Sequence, residues 1–128
     1  MALVDKIKPD FIHFAPPCGS ATKARDIRRQ FEVAPGKFID PKPLRSDEFP
    51  DGLPNLCEAD QIRVDIANIL YDFTARAAVI LADRGIAWAI ENPETSRMWI
   101  TSWFRKMFAV LKSKQIKFSS VNFHNCMH

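Results

Sequence analysis

Glycine is scarce: Gly19, Gly36, Gly52 and Gly85 are the only four in 128 residues. None of them shares a strand-to-helix turn with a second glycine, so the loop types Gly-x-Gly-x-x-Gly and Phe-x-Gly-x-Gly, which admit a nucleotide's phosphates or a similar cofactor close to the backbone, are absent. Cysteine is sparser still. Cys18, Cys57 and Cys126 are odd in number, widely spaced and contain no Cys-x-x-Cys pair, which argues against a disulfide framework and against a tetrahedral zinc site. No apolar run approaches the roughly 18 residues of a membrane span, and the N-terminal stretch MALVDKIKPD lacks the apolar core of a signal peptide. These absences predict an intracellular chain, cytoplasmic or nuclear, without a membrane partner. An excess of charge of one sign is also nearly missing: 18 Lys plus Arg stand against 15 Asp plus Glu, a balance that permits an anionic partner without demanding one.

What is present is an ordinary globular composition, 47% hydrophobic and 26% charged, enough for one domain with one core. Phe11 to Ala15, between Pro9 and Pro16, reads as a buried strand, and Pro16-Pro17 ends it. The small residues Gly19 and Ser20 then allow a tight turn into ATKARDIRRQF, a short basic helix by pattern. From residue 33 to residue 57 five prolines and two glycines predict a long loop without regular structure, of a length more usual for lids and binding loops than for spacers. Glu58 to Arg84 carries Ile62, Ile66, Ile69, Leu70, Phe73, Ala77, Ile80 and Leu81 at helical spacing, with Gly85 as its C-terminal cap. Ile86 to Ile90 is a second apolar strand ending at Glu91-Asn92-Pro93. A helix capped by Thr95 or Ser96 runs through Leu111, and Ile116 to Phe123 reads as a third strand. This alternation predicts an α/β fold: a parallel sheet of about three strands covered by helices.

In open α/β sheets binding crevices form at the carboxyl ends of the strands. Pro16-Pro17-Cys18 and Glu91-Asn92-Pro93 both fall at such ends, so adjacent strands would bring a thiol and a carboxyl group into one crevice, a nucleophile beside a proton-handling group. A helix starting just after Cys18 would favour the thiolate. His124, Cys126 and His128 have metal-capable atoms but poor spacing for one tetrahedral site, and no metal is expected. Trp99 and Trp103 lie four apart on a predicted helix and are expected to pack, and His13 reads as a residue of the sheet.

A strand followed by Pro-Pro-Cys and a later strand ending in Glu-Asn resembles the cytosine-C5 DNA methyltransferases, most closely divergent, phage-like members with Glu-Asn-Pro. The resemblance implies a partial doubly wound, Rossmann-like methyltransferase domain over residues 1–128. It implies Cys18 as the nucleophile that attacks carbon 6 of a flipped cytosine, and Glu91 as the group that contacts ring nitrogen 3 and supports its protonation. Pro17, Ser20, Arg25, Asn92 and Pro93 would contact or position the DNA substrate, with Lys23, Arg28, Arg29, Lys37, Lys42 and Arg45 as further candidates for phosphate contacts. S-adenosylmethionine is the implied methyl donor, although the chain has no glycine-rich loop for it, no recognisable Gln-x-Arg-x-Arg strand, and Gly19 where most members have Gln. The chain is therefore expected to be a fragment, which its abrupt ends also suggest. The alternatives are a nucleic-acid-binding remnant of a mobile element without turnover, an unrelated cysteine enzyme, for which no activating loop histidine is evident, and an amino-methyltransferase, whose polar and aromatic loop residues Ala15 and Cys18 replace.

Overall fold

The computed structural model describes residues 2–26, 31–39 and 42–123. Helix α1 (Ala2–Ile7) precedes strand β1 (Phe11–Phe14), and a single 3-10 turn covers Lys23–Asp26. Strands β2 (Phe31–Ala34) and β3 (Lys37–Ile39) are followed by the long helix α2 (Glu58–Asp83) and strand β4 (Ala87–Ile90). A second 3-10 turn, Arg97–Ile100, leads into helix α3 (Ser102–Ser113).

The functional frame is one parallel strand–helix–strand unit. β1 pairs with β4 in the register Phe11↔Ala87 to Phe14↔Ile90, and α2 makes the crossover that parallel strands require. The helix ends where the sequence says it should. Gly85 takes φ +69°, its N–H bonds Ala82 O, and the Ile86 N–H reaches back to Leu81 O at 2.9 Å, the Schellman pattern that turns the chain directly into β4.

Side chains alternate across a strand, so Phe11, His13, Ala87 and Ala89 share one face of the pair and Ile12, Phe14, Trp88 and Ile90 the other. Trp88 and Ile90 pack on the main core, where Ala67, Tyr71, Ala75 and Ala78 of α2 meet Phe104, Met107 and Leu111 of α3 around Ala21 and Met98. Small residues on α2 let α3 approach closely, and Phe104 fills the space edge-on to Tyr71 and Trp99. Among the described residues no helix packs on the opposite sheet face, where Phe11 is 55% exposed.

Several expectations are corrected. The α/β class holds, but the parallel sheet has two strands, not about three, and a second, antiparallel pair is present. Ile116 to Phe123 forms no strand; Phe118 stacks on Phe108 of α3 with ring centroids 5.4 Å apart and ties the segment to the helix, with an open cleft between it and β4. The basic stretch after the loop contains only the 3-10 turn within its described part, and β2 begins at Phe31. The 33–57 loop is not wholly irregular, since Pro35-Gly36, with Gly36 at φ +75°, turns β2 into β3 as Pro-Gly does in a type II turn. Ser96 caps the 3-10 turn, its Oγ accepting from the Met98 N–H, and α3 starts only after Thr101. The large residues of the α2 stripe face outward: Ile62, Ile66, Ile69 and Phe73 are all more than half exposed.

Candidate functional site

The loop that leaves β1 is fixed at nearly every peptide. Pro16 O accepts from Asn92 Nδ2 at 2.9 Å, and Pro17 O from the Tyr71 hydroxyl at 2.5 Å. Cys18 O accepts from the amides of Ala21 and Thr22, both at 2.9 Å, and Ala21 O from the Arg97 amide, also at 2.9 Å. Gly19 O receives the Arg25 guanidinium at 3.4 Å, while Ser20 Oγ accepts from Arg45 Nη2 at 3.0 Å. With the two prolines restricting φ, these bonds leave the backbone of Cys18 one geometry. The half-buried thiol is thereby presented from a rigid loop, the arrangement that lowers the entropic cost of attack.

Arg45 anchors the loop from beneath. It is 1% exposed and donates to Ser20 Oγ, to Pro50 O at 2.8 Å and to Asn68 Oδ1 at 2.8 Å, with its guanidinium 5.2 Å from the centre of the Tyr71 ring. Asn68 Nδ2 in turn donates to Asp51 O, so one buried arginine ties the proline-rich segment, α2 and the cysteine loop together. Burial pulls the Arg45 guanidinium below its ordinary range and pushes the Tyr71 phenol up, the latter opposed by the neighbouring Arg45 charge. The neutral phenol remains a donor to Pro17.

On the far side, Arg97 is 8% exposed. It holds Asp26 in a two-pronged contact at 3.0 and 2.7 Å and Asp47 at 3.1 Å. The hydrogen bonds from Arg97, with its charge and that of Lys23 assisting against burial, hold the Asp26 carboxyl below the usual carboxylate value of 3.8. A depressed folded pKa stabilises the fold above the unfolded value, and the benefit disappears as pH falls through the lower folded one. Asp26→Asn is therefore expected to lose stability at neutral pH and to show a flatter decline below about pH 4 than the parent; chemical denaturation across pH 2–7 measures both.

Glu91-Asn92-Pro93 lies against this loop. The Glu91 amide donates to Phe14 O at 2.8 Å, continuing the β1–β4 ladder by one residue, and Asn92 then reaches Pro16 as above. The Asn92 Oδ1 atom is buried and has no hydrogen-bond partner among the described residues. Pro93 O accepts from Trp99 Nε1 at 2.9 Å and from the Ser96 amide at 2.9 Å, which fixes the end of the turn. The Glu91 carboxylate meets His13 Nε2 at 3.2 Å. Beside it an open cleft of about 890 Å³ runs along β4, lined by Trp88, Glu94, Trp99, Phe108 and Phe118 as well as by His13 and Glu91.

The structure thus joins the two sequence-marked tripeptides through the main chain and Asn92, while Cys18 does not line the cleft at Glu91. Ser20 and Arg25 belong to the loop's own scaffold, with Arg25 Nε also donating to Lys42 O at 2.9 Å. Arg45, a candidate phosphate contact by sequence, is instead interior. Arg28, Arg29, His124, Cys126 and His128 lie outside the described residues. Among the described residues no α-helix starts behind Cys18: a hydrogen-bonded turn covers residues 19–21, and the 3-10 turn begins at Lys23. Among the described residues no three His, Cys, Asp or Glu side chains gather where they could hold a metal ion. No described helix is long and apolar enough to cross a membrane.

Among the described residues no glycine-rich strand-to-helix turn, of the kind that admits a nucleotide-like methyl donor, is formed. Gly36 lies in a hairpin and Gly85 in a helix C-cap. The glycine that does follow a strand, Gly19, is not among the positive-φ glycines and has its carbonyl engaged by Arg25. No protein-family model, no curated protein and no solved structure matches this chain.

Proposed function

We propose that this chain carries the nucleophile half of a cytosine-C5 DNA methyltransferase-like site, with Cys18 attacking a flipped cytosine and Glu91 serving its ring nitrogen. One observation supports this above the others: the Pro-Pro-Cys loop and the Glu-Asn-Pro turn are bonded to each other on adjacent parallel strands, through Glu91 N–H to Phe14 O and Asn92 Nδ2 to Pro16 O. Two short motifs far apart in sequence become one rigid strand-end unit.

The chemistry follows from that pair. The Cys18 thiolate forms a carbon–sulfur bond at carbon 6, and the electron pair leaving the 5,6 double bond moves to carbon 5 and, through carbon 4, to ring nitrogen 3. A proton delivered there by Glu91 neutralises the charge. Extrusion of the base from the duplex is needed for sulfur to reach carbon 6, and the exposed Lys23 and Lys42 beside the loop suit phosphate contacts. The described residues hold the nucleophile and the proton-handling group, not a donor site. A second reading consistent with that is a nucleic-acid-binding remnant without turnover.

The test needs no donor. In a duplex carrying one 5-azacytosine, attack at carbon 6 moves the electron pair onto nitrogen 5 and, through carbon 4, onto nitrogen 3, where the Glu91 proton neutralises it and leaves a neutral, persistent adduct. The wild-type chain is expected to give a denaturant-resistant protein–DNA band and Cys18→Ser none. Binding of the duplex without any adduct would leave the remnant reading standing and sink the nucleophile.

A further inference from the structure

We infer that His13 is a positioning residue for Glu91, holding one carboxyl oxygen so that the other, carrying the proton, faces the base; this rests on the function proposed above. His13 and Glu91 sit at the carboxyl ends of adjacent strands on the same face, where no described helix packs, because His13 is in register with Ala89 and Glu91 lies two residues further along β4's line. The contact joins His13 Nε2 to Glu91 Oε2 at 3.2 Å, with Oε1 accepting no described hydrogen bond.

Exposure separates this role from a structural one. The two side chains are 49% and 41% accessible, and ion pairs so exposed add little to stability. The remaining faces of β1 support the same conclusion, since a sheet residue needed only for packing would be apolar, as Ile12 and Phe14 are on the side that meets the helices. The other titratable groups lining the adjoining cleft are Glu94 and Lys117, and Glu94 is already engaged by Asn122 Nδ2 at 3.1 Å. Neither replaces His13 as the partner of Glu91. A carboxyl group on a mobile side chain finds the ring nitrogen only part of the time; one whose second oxygen is pinned has fewer rotamers to lose at the moment of attack.

The experiment is a rate cycle for adduct formation on the 5-azacytosine duplex, using the full chain and His13→Phe, His13→Gln, Glu91→Gln and the double variant His13→Phe with Glu91→Gln. His13→Phe is expected to slow the reaction about ten- to a hundredfold with an unchanged melting temperature. His13→Gln, which keeps a donor to the carboxylate, is expected to recover most of the rate. In the Glu91→Gln background the His13→Phe change is expected to have no further effect. Equal rates for His13→Phe and the parent, or independent losses that multiply in the double variant, would overturn the assignment. If the wild-type chain itself forms no adduct, the nucleophile reading falls first and takes this role with it, an outcome distinct from a wild-type chain that reacts and is indifferent to His13.

Discussion

Arg45→Met is expected to cost about 3 kcal/mol of folding stability, a large share of the roughly 5–15 kcal/mol that holds a domain of this kind together. The arginine is 1% exposed and gives hydrogen bonds to Ser20, Pro50 and Asn68. Removing it leaves those half-buried acceptors without donors, and each lost bond to a charged group is worth about 1.5–3 kcal/mol, partly offset because the guanidinium no longer has to leave water. The sum is dominated by the orphaned acceptors. Arg45→Lys is expected to recover little, since a single ammonium cannot reach with one fork the oxygens on three chain segments. Urea unfolding gives the loss directly, and a parallel increase in the alkylation rate of Cys18 would show that the loop above the arginine has loosened as well. A loss below 1 kcal/mol would mean that the proline-rich segment is held by something other than this residue.

That prediction could not have been made from the sequence, where Arg45 is one of several basic residues in a proline-rich stretch and the obvious inference is a solvated phosphate contact. Its burial depends on Asn68 and Tyr71 lying one turn apart on the inner face of α2 and on Pro50 returning to the same point, which is information about long-range packing. Local signals fared better. The strand between Pro9 and Pro16, the Gly85 cap and the strand ending at Glu91 all rest on short-range rules of φ and hydrogen bonding, and each is found where those rules put it.

Periodicity was less reliable because it does not say which face is buried. On α2 the bulky stripe of Ile62, Ile66, Ile69 and Phe73 is exposed, and the packed face is made of Val64, Ala67, Tyr71, Thr74 and Ala75, since close approach of α3 favours small side chains. The third strand failed for a related reason: alternating apolar residues from Ile116 onward suit a sheet edge and a helix surface equally, and Phe118 is found stacked on Phe108 of the helix. At the site, Cys18, Glu91 and Asn92 were legible as strand-end residues. The groups that fix them, Tyr71, Arg45 and Arg97, were not. The only signals available were a lone tyrosine and an asparagine, Asn68, set within an apolar helix.

Glu91→Gln is expected to slow adduct formation by about 10² to 10⁴ while leaving the fold intact, the range over which loss of a positioned proton donor is felt. The amide can still hydrogen-bond ring nitrogen 3, so base binding survives, but it cannot transfer a proton as charge arrives there, and only interactions that strengthen in the transition state accelerate the step. The backbone bond from residue 91 to Phe14 O and the Asn92 bond to Pro16 O do not involve the carboxyl group, so the loop geometry of Cys18 is preserved and a slower reaction reports the proton, not the presentation of sulfur. Comparing duplex affinity with adduct rate separates the two. Weakened binding with an unaltered rate for bound DNA would place Glu91 in recognition instead of chemistry. A loss as complete as that of Cys18→Ser would mean that sulfur cannot add to the ring at all without the carboxyl proton.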